Sequence, residues 1–278
     1  MQPKDEGPAP RLSPYAEQLS GRTKTVVNVR EGYQTPWHAH DCDMLFVPVA
    51  GRFDVVGPDG EPLTSGPGEF SWFAAGEGHA TTAQTLRQTH LAIYVDPDFW
   101  SLVLRAQGIE RPVQGMRSGS VAMNMLSQKL LQTSLDGADS EANAVYCGAL
   151  IMEAARLSAN PVLHERGTPA RMVAQLLTDF IDADLARPLS LDAFADKHRL
   201  SRRQVERQFR SAFGMSPLEF QQARRIERAR YLLQTTSDSV LSIAQQVGWE
   251  SGSYLSRVLR KTWARTAAEL RSSQPASE

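Results

Sequence analysis

Ser201-Arg-Arg-Gln-Val-Glu-Arg-Gln-Phe-Arg210 and Ser251-Gly-Ser-Tyr-Leu-Ser-Arg-Val-Leu-Arg260 are one helical pattern written twice, fifty positions apart. Ser201 matches Ser251, Val205 matches Leu255, Arg207 matches Arg257, Phe209 matches Leu259 and Arg210 matches Arg260. Each stretch opens on a serine, whose hydroxyl satisfies an orphan N–H of the first turn. Gln204 follows Ser201 by three and completes a capping box. At about 100° per residue, Val205, Phe209 and Ala212 share an inner face while Arg203, Arg207 and Arg210 face outward. In the second stretch Leu255 and Leu259 face inward, against Ser253, Arg257 and Arg260. A short helical pattern precedes each one, at Leu191–Lys197 and Val240–Val247, and Gly248 supplies the second turn. One helix-turn-helix match is weak. Two in register, with like charges on like faces and a long helix between them from Leu218 to Gln234, form a tandem pair built to touch nucleic acid twice.

Working outward, the 278 residues allow two domains of ordinary size. The formal net charge is −1, but the halves differ. From Thr168 onward there are 17 lysines and arginines against 12 aspartates and glutamates; before it there are 13 against 19. A basic C-terminal half beside an acidic N-terminal half fits a DNA reader joined to a module of another kind. No run is long or apolar enough to cross a membrane, and the first residues lack the apolar core of a signal peptide. Two cysteines, Cys42 and Cys147, make no disulfide framework, so a reduced, cytoplasmic protein is expected.

Residues 1–20 read as a flexible, proline-rich terminus. From residue 21 to 162 the chain first carries short strand patterns at 25–29, 44–49, 52–56, 69–73 and 90–95. Turns such as Gly57-Pro58-Asp59-Gly60 separate them. Two amphipathic helices follow, Ser120 to Ser134 and Glu141 to Ser158. Residues 163–169 read as a linker, and 170–273 as wholly helical. The expectation is an α+β chain of two domains: an antiparallel β-barrel with a helical hairpin, then an all-α double helix-turn-helix domain.

The C-terminal region resembles the AraC/XylS family of bacterial transcription regulators. The resemblance rests on the Ala195…Ser201…Val205-x-Arg207-x-Phe209 block and on Phe213-Gly214-x-Ser216-Pro217. It continues through Arg224-Arg225…Ala229-Arg230-x-Leu232-Leu233 and Ile243-Ala244-x-x-Val247-Gly248-Trp249. It ends on Ser253-Tyr254-Leu255-Ser256-Arg257-x-Leu259-Arg260-Lys261. It departs from the family at Ala264-Arg265-Thr266-Ala267, where Gly-x-Thr-Pro is usual, and at Leu255 and Leu259, where aromatic residues are usual. The resemblance implies one recognition helix in each of two successive major-groove segments, about 34 Å apart. The expected DNA-binding residues are Ser201, Arg202, Arg203, Gln204, Glu206, Arg207 and Arg210 in the first motif. In the second they are Ser251, Gly252, Ser253, Ser256, Arg257, Arg260 and Lys261. Arg203, Arg207 and Arg257 suit guanine edges, and Glu206 suits cytosine N4 or screens its arginine neighbours. Arg260 and Lys261 suit phosphates.

The segments Gly32-x5-His38-x-His40-x3-Met44 and Gly68-x5-Ala74-x-Gly76-x2-His79 resemble the two cupin motifs. The resemblance puts His38, His40 and His79 on three metal-ligand positions and Met44 where a glutamate would stand. Three imidazoles can hold a divalent ion such as Zn, Ni, Fe or Mn; without one, they line an effector pocket. The hairpin's Leu126, Leu130, Val145 and Leu150 pack on the barrel or, as the family implies, form a homodimer interface. The reading is a DNA-binding regulator, not an enzyme, with double-stranded DNA and a small-molecule effector as partners, and RNA polymerase if it activates. The alternatives are a metal-dependent cupin enzyme with a DNA-binding tail, and a DNA-binding protein whose barrel only dimerises.

Overall fold

The computed structural model describes residues 21–58, 60–85, 87–110, 115–136, 140–159 and 169–272. The terminus expected at 1–20 and most of the linker expected at 163–169 lie outside the described residues; Pro169 already opens a helix.

Among the described residues, nine strands make two antiparallel sheets. The first is ordered β1 (Thr23–Glu31), β8 (Arg87–Val95), β3 (Asp43–Ala50), β6 (Glu69–Phe73) and β9 (Gly115–Ser118). The second is ordered β2 (Gln34–His38), β7 (His79–Ala83), β4 (Phe53–Val56) and β5 (Pro62–Ser65). The barrel therefore takes the form of two facing sheets whose edges are not paired with each other among the described residues. Met44, Phe46, Phe53, Val55 and Phe73 fill the space between them.

β3 is buried at every position, although an antiparallel strand with one wet face would alternate. The cause lies on its far side. Leu45, Val47 and Val49 point away from the second sheet into a core built with three helices: α1 (Pro97–Ala106), α2 (Val121–Asp136) and α3 (Ser140–Ser158). Asp96 caps α1 by accepting from the Phe99 N–H, and Pro97 fits its first turn. Trp100 of α1 stacks on Trp72 of β6 at 4.0 Å.

This packing corrects part of the expected dimer surface. Leu130 and Leu150 are fully buried in the core of their own chain and have no area to offer a partner. Leu126 packs against the same core. Val145 alone of the four is exposed, at 63%.

The remaining helices are α4 (Pro169–Ala183), α5 (Leu191–His198), α6 (Arg202–Phe213), α7 (Pro217–Thr235), α8 (Val240–Gln246), α9 (Gly252–Trp263) and α10 (Ala267–Ser272). They form two small cores. Val205, Phe209 and Phe213 of α6 pack with Phe194 of α5 and Leu177 and Ile181 of α4. Leu255, Leu259 and Trp263 of α9 pack with Ile243 of α8 and Leu270 of α10. The long helix α7 serves both, giving Phe220 to the first and Ala229, Leu232 and Leu233 to the second.

Candidate nucleic-acid interface and histidine cluster

Both recognition helices begin as their serines require. Ser201 accepts from the Gln204 N–H, and Gln204 returns the bond to the Ser201 backbone. Ser251 accepts from the Tyr254 N–H. The helices end alike as well: Gly214 (φ +73°) and Ala264 (φ +53°) both turn left-handed, and each donates its N–H to a carbonyl four residues back. The departure at Ala264 thus leaves the geometry intact. The alanine takes the strained turn, and a box between Thr266 and Glu269 starts α10 as Ser216 and Glu219 start α7. From the second residue of each helix, 203–213 and 253–263, the alternation of buried and exposed positions is identical.

The outward faces are not equally free. Arg203, Arg207 and Arg210 are exposed. Arg202 is paired with Glu206 at 3.0 Å and Asp192 at 3.4 Å. Glu206 thus screens an arginine in the free protein; being exposed, the pair is weak and open to exchange. Gln204 has its Oε1 committed to the cap. Ser256 donates to the Gly252 carbonyl at 2.9 Å. In the second motif Arg257, Arg260 and Lys261 are exposed, and Arg257 lies 5.9 Å over the Tyr254 ring.

Two buried arginines have roles that the sequence pattern did not assign. Arg224 pairs with Asp182 at 3.0 Å and with Glu227. Arg225 spends its guanidinium on four backbone carbonyls: Leu185, Ala186 and Arg187 before α5, and Gly248 in the turn of the second motif. It joins the two motifs. Gly248 has φ +84°, and a Cβ there would stand 2.3 Å from the Ala186 oxygen, so only glycine fits.

In the N-terminal domain, His38 at the end of β2, His40 just beyond it and His79 at the start of β7 converge. Their ligating atoms all lie within 4.8 Å of one another. His38 Nδ1 is 2.7 Å from the Pro36 carbonyl and His79 Nδ1 is 3.4 Å from that of Glu77. A carbonyl can only accept, so each of these Nδ1 atoms carries a proton; that leaves His38 Nε2 to accept from His40 Nε2 at 3.1 Å, while His79 Nε2 is buried with no hydrogen-bond partner. Burial, with His38 and His40 close by, pushes His79 down to about 4, so it is neutral at pH 7. Neutral imidazoles oriented through Nδ1 are the donor set a divalent ion takes. Met44, at the carboxylate position, is buried between the sheets and offers no oxygen. Next to the cluster opens a cavity of about 430 Å³ lined in part by Lys24, His40, Tyr94 and Asp96.

Comparison with known proteins bears on the whole arrangement. A helix-turn-helix domain model matches residues 194–273. The HTH-type transcriptional activator RhaR of Salmonella schwarzengrund (strain CVM19633) is 28% identical over 252 residues, 84% of this chain and 86% of its own. These likenesses support an AraC family transcription regulator. The regulator is also similar to an AraC-type transcriptional regulator of Chromobacterium violaceum, 34% identical over 39% of this chain and 96% of that one, with a TM-score of 0.35. ToxT of Vibrio cholerae O395 is 13% identical over 90% of this chain and 98% of its own, with a TM-score of 0.36. The helix-turn-helix domain makes it a DNA-binding regulator, and the relatives it matches along most of its length are named as transcriptional activators, not as enzymes. None of the described helices is long and apolar enough to cross a membrane.

Proposed function

We propose that the protein is an effector-responsive regulator that reads two successive major-groove segments with α6 and α9. The observation that carries this reading is the repeat of the same burial pattern and the same two helix caps at a fixed offset of fifty residues. Arg203 and Arg207 of the first motif and Arg257 of the second face outward with the reach for base edges. Arg210, Arg260 and Lys261 sit at the last turns, where they suit phosphates. A homodimer would use the apolar strip that Val145 and Met152 leave exposed on α3. As an activator, in the manner of RhaR's name, the protein would also contact RNA polymerase. Footprinting on a selected operator tests the central reading: protection of two segments about one turn apart is expected, and protection of one alone would refute it.

The N-terminal domain supplies the sensor. Its ligand site centres on His38, His40 and His79, which fit a divalent ion held through one ring nitrogen of each, with coordination left for water or an effector. Such an ion would supply a Lewis-acidic anchor for an anionic effector group. Elemental analysis of chelator-free protein is the test. Close to one ion per chain, lost in His40→Ala, is expected; metal-free protein with an unchanged inducible response would leave the histidines as pocket lining.

A further inference from the structure

Helix α2 belongs to the sensor domain by its buried face, where Met123, Leu130 and Leu131 enter the core beside the five-stranded sheet. Its other face meets both DNA-reading motifs. Asn124 donates from Nδ2 to the Ala212 carbonyl at 2.6 Å, and Gln132 donates from Nε2 to the Thr262 carbonyl at 3.1 Å. Ala212 and Thr262 are the same position in the two motifs, each the residue before the last in its recognition helix. Carbonyls of a last turn have no partner inside their helix and form its negative end. A side-chain amide N–H is a chemical match for them, and α2 presents one to each.

The grips differ in what surrounds them. At the first, α2 lies close against the left-handed corner: a Cβ on Gly214 would meet Val121 Cγ1 at 2.6 Å. Between the grips the surfaces do not close. A cleft of about 280 Å³ remains, lined in part by Met125, Leu131, Met215, Ile226 and Trp263. Register along α2 is therefore set by the two amides and not by continuous apolar packing. Eight residues separate Asn124 from Gln132, about 12 Å on a rigid helix.

We propose that α2 is a spacer bar, and that Asn124 and Gln132 are positioning residues fixing the separation of the two DNA segments that the recognition helices read. The proposal rests on the two-groove reading above. With the grips intact, the sensor domain and not α7 alone holds the two helices at one distance. With them broken, the two motifs can settle at more than one.

The test is a binding selection from a random duplex library with full-length wild type and with the Asn124→Ala/Gln132→Ala double variant. Sequencing then gives the spacing between the two recovered half-site motifs. The wild type should return one spacing. The variant should return the same motifs at two or more, and its discrimination against a one-base-pair insertion should fall by about threefold or more. A residue that merely stabilised the fold would lower all affinities and leave the spacing sharp. Gln132→Glu keeps the shape and loses the donor, so it should broaden the spacing too; it carries the test if the double variant does not fold. A spacing as sharp in the variants as in the wild type would overturn the spacer bar. A wild type that returns a single half-site motif would instead overturn the two-groove reading.

Discussion

Arg225→Met removes one guanidinium and takes a donor from four carbonyls, of which Arg187 alone keeps another, Gln221 Nε2 at 2.9 Å. The bonds run to Leu185 at 2.7 Å, Gly248 and Arg187 at 3.1 Å and Ala186 at 3.2 Å. A hydrogen bond from a charged donor contributes about 1.5–3 kcal/mol, but the four do not add, because exposed acceptors recover water. Arg187 is exposed, and Ala186 and Gly248 are half-buried, so their carbonyls rehydrate at small cost. Leu185 is buried, and its carbonyl keeps about 1–3 kcal/mol of unmet demand. With several tenths from each of the others, the loss should be about 2–4 kcal/mol. That is a large share of the 5–15 kcal/mol typical of a domain. Urea denaturation followed by circular dichroism reads the change, and Tm should fall by about 15 °C. Arg225→Lys should recover less than half of the loss, since one ammonium lacks the planar fork that spans the four acceptors. A loss below about 1 kcal/mol in Arg225→Met would refute the claim that this side chain ties the motifs together.

Two glycine substitutions should move stability in opposite directions. Gly248→Ala should cost about 2–4 kcal/mol, because the left-handed turn and the Ala186 oxygen both resist a methyl group. Gly148→Ala, inside α3 with open space around it, should gain about 0.5–1 kcal/mol; equal urea midpoints for the pair would contradict this. Burial, with Glu77 and Asp96 nearby, pushes the Asp43 carboxyl up to about 6, against the Ala75 N–H that it accepts. The folded state therefore holds its proton more tightly than the unfolded chain, and stability falls as pH rises from about 4 to 6. Asp43→Asn should match the wild type near pH 4 and exceed it above pH 6, and a gap that does not change with pH would count against this. In DNA binding, Arg207→Ala should cost about 1–3 kcal/mol and relax one or two base preferences, while Lys261→Ala should weaken all sequences alike and flatten the salt dependence. Titrations on matched and mismatched duplexes separate the two.

The two recognition helices were legible because everything they need is local. A serine cap, a 3.6-residue apolar period and a small residue or glycine at the end are written into each fifty-residue unit. Elements whose pattern is set from a distance were not. β2, β5, β7 and β9 gave no strand signal. β2 carries Pro36 and is exposed at three of five positions, and β7 reads His-Ala-Thr-Thr-Ala. These polar strands carry the histidine site, whose residues were found through motif spacing and not through periodicity. Helix α1 was missed because its apolar run follows directly from β8 with only Asp96 and Pro97 between. Arg225 sits on a helix that reads as basic and solvated, and only its acceptors, 23 to 40 positions away, account for its burial. Leu130 and Leu150 show the reverse case: an apolar helix face does not say which surface will cover it.

β3 has no surface of its own. Its even-numbered side chains, Met44 and Phe46, stand in the chamber that the second sheet closes, and its odd ones, Leu45, Val47 and Val49, stand among the helices that reach the DNA-reading half. One layer of backbone is thus the whole partition between the side of the domain that carries the histidine cluster and the side that meets α2. A partition this thin has no slack. Volume added on one side must be matched by movement on the other, because interiors at crystal-like density transmit strain and do not absorb it. From Met44 to Val49 neither parity of position can be traded for a polar residue, and a one-residue slip would exchange the contents of two cores.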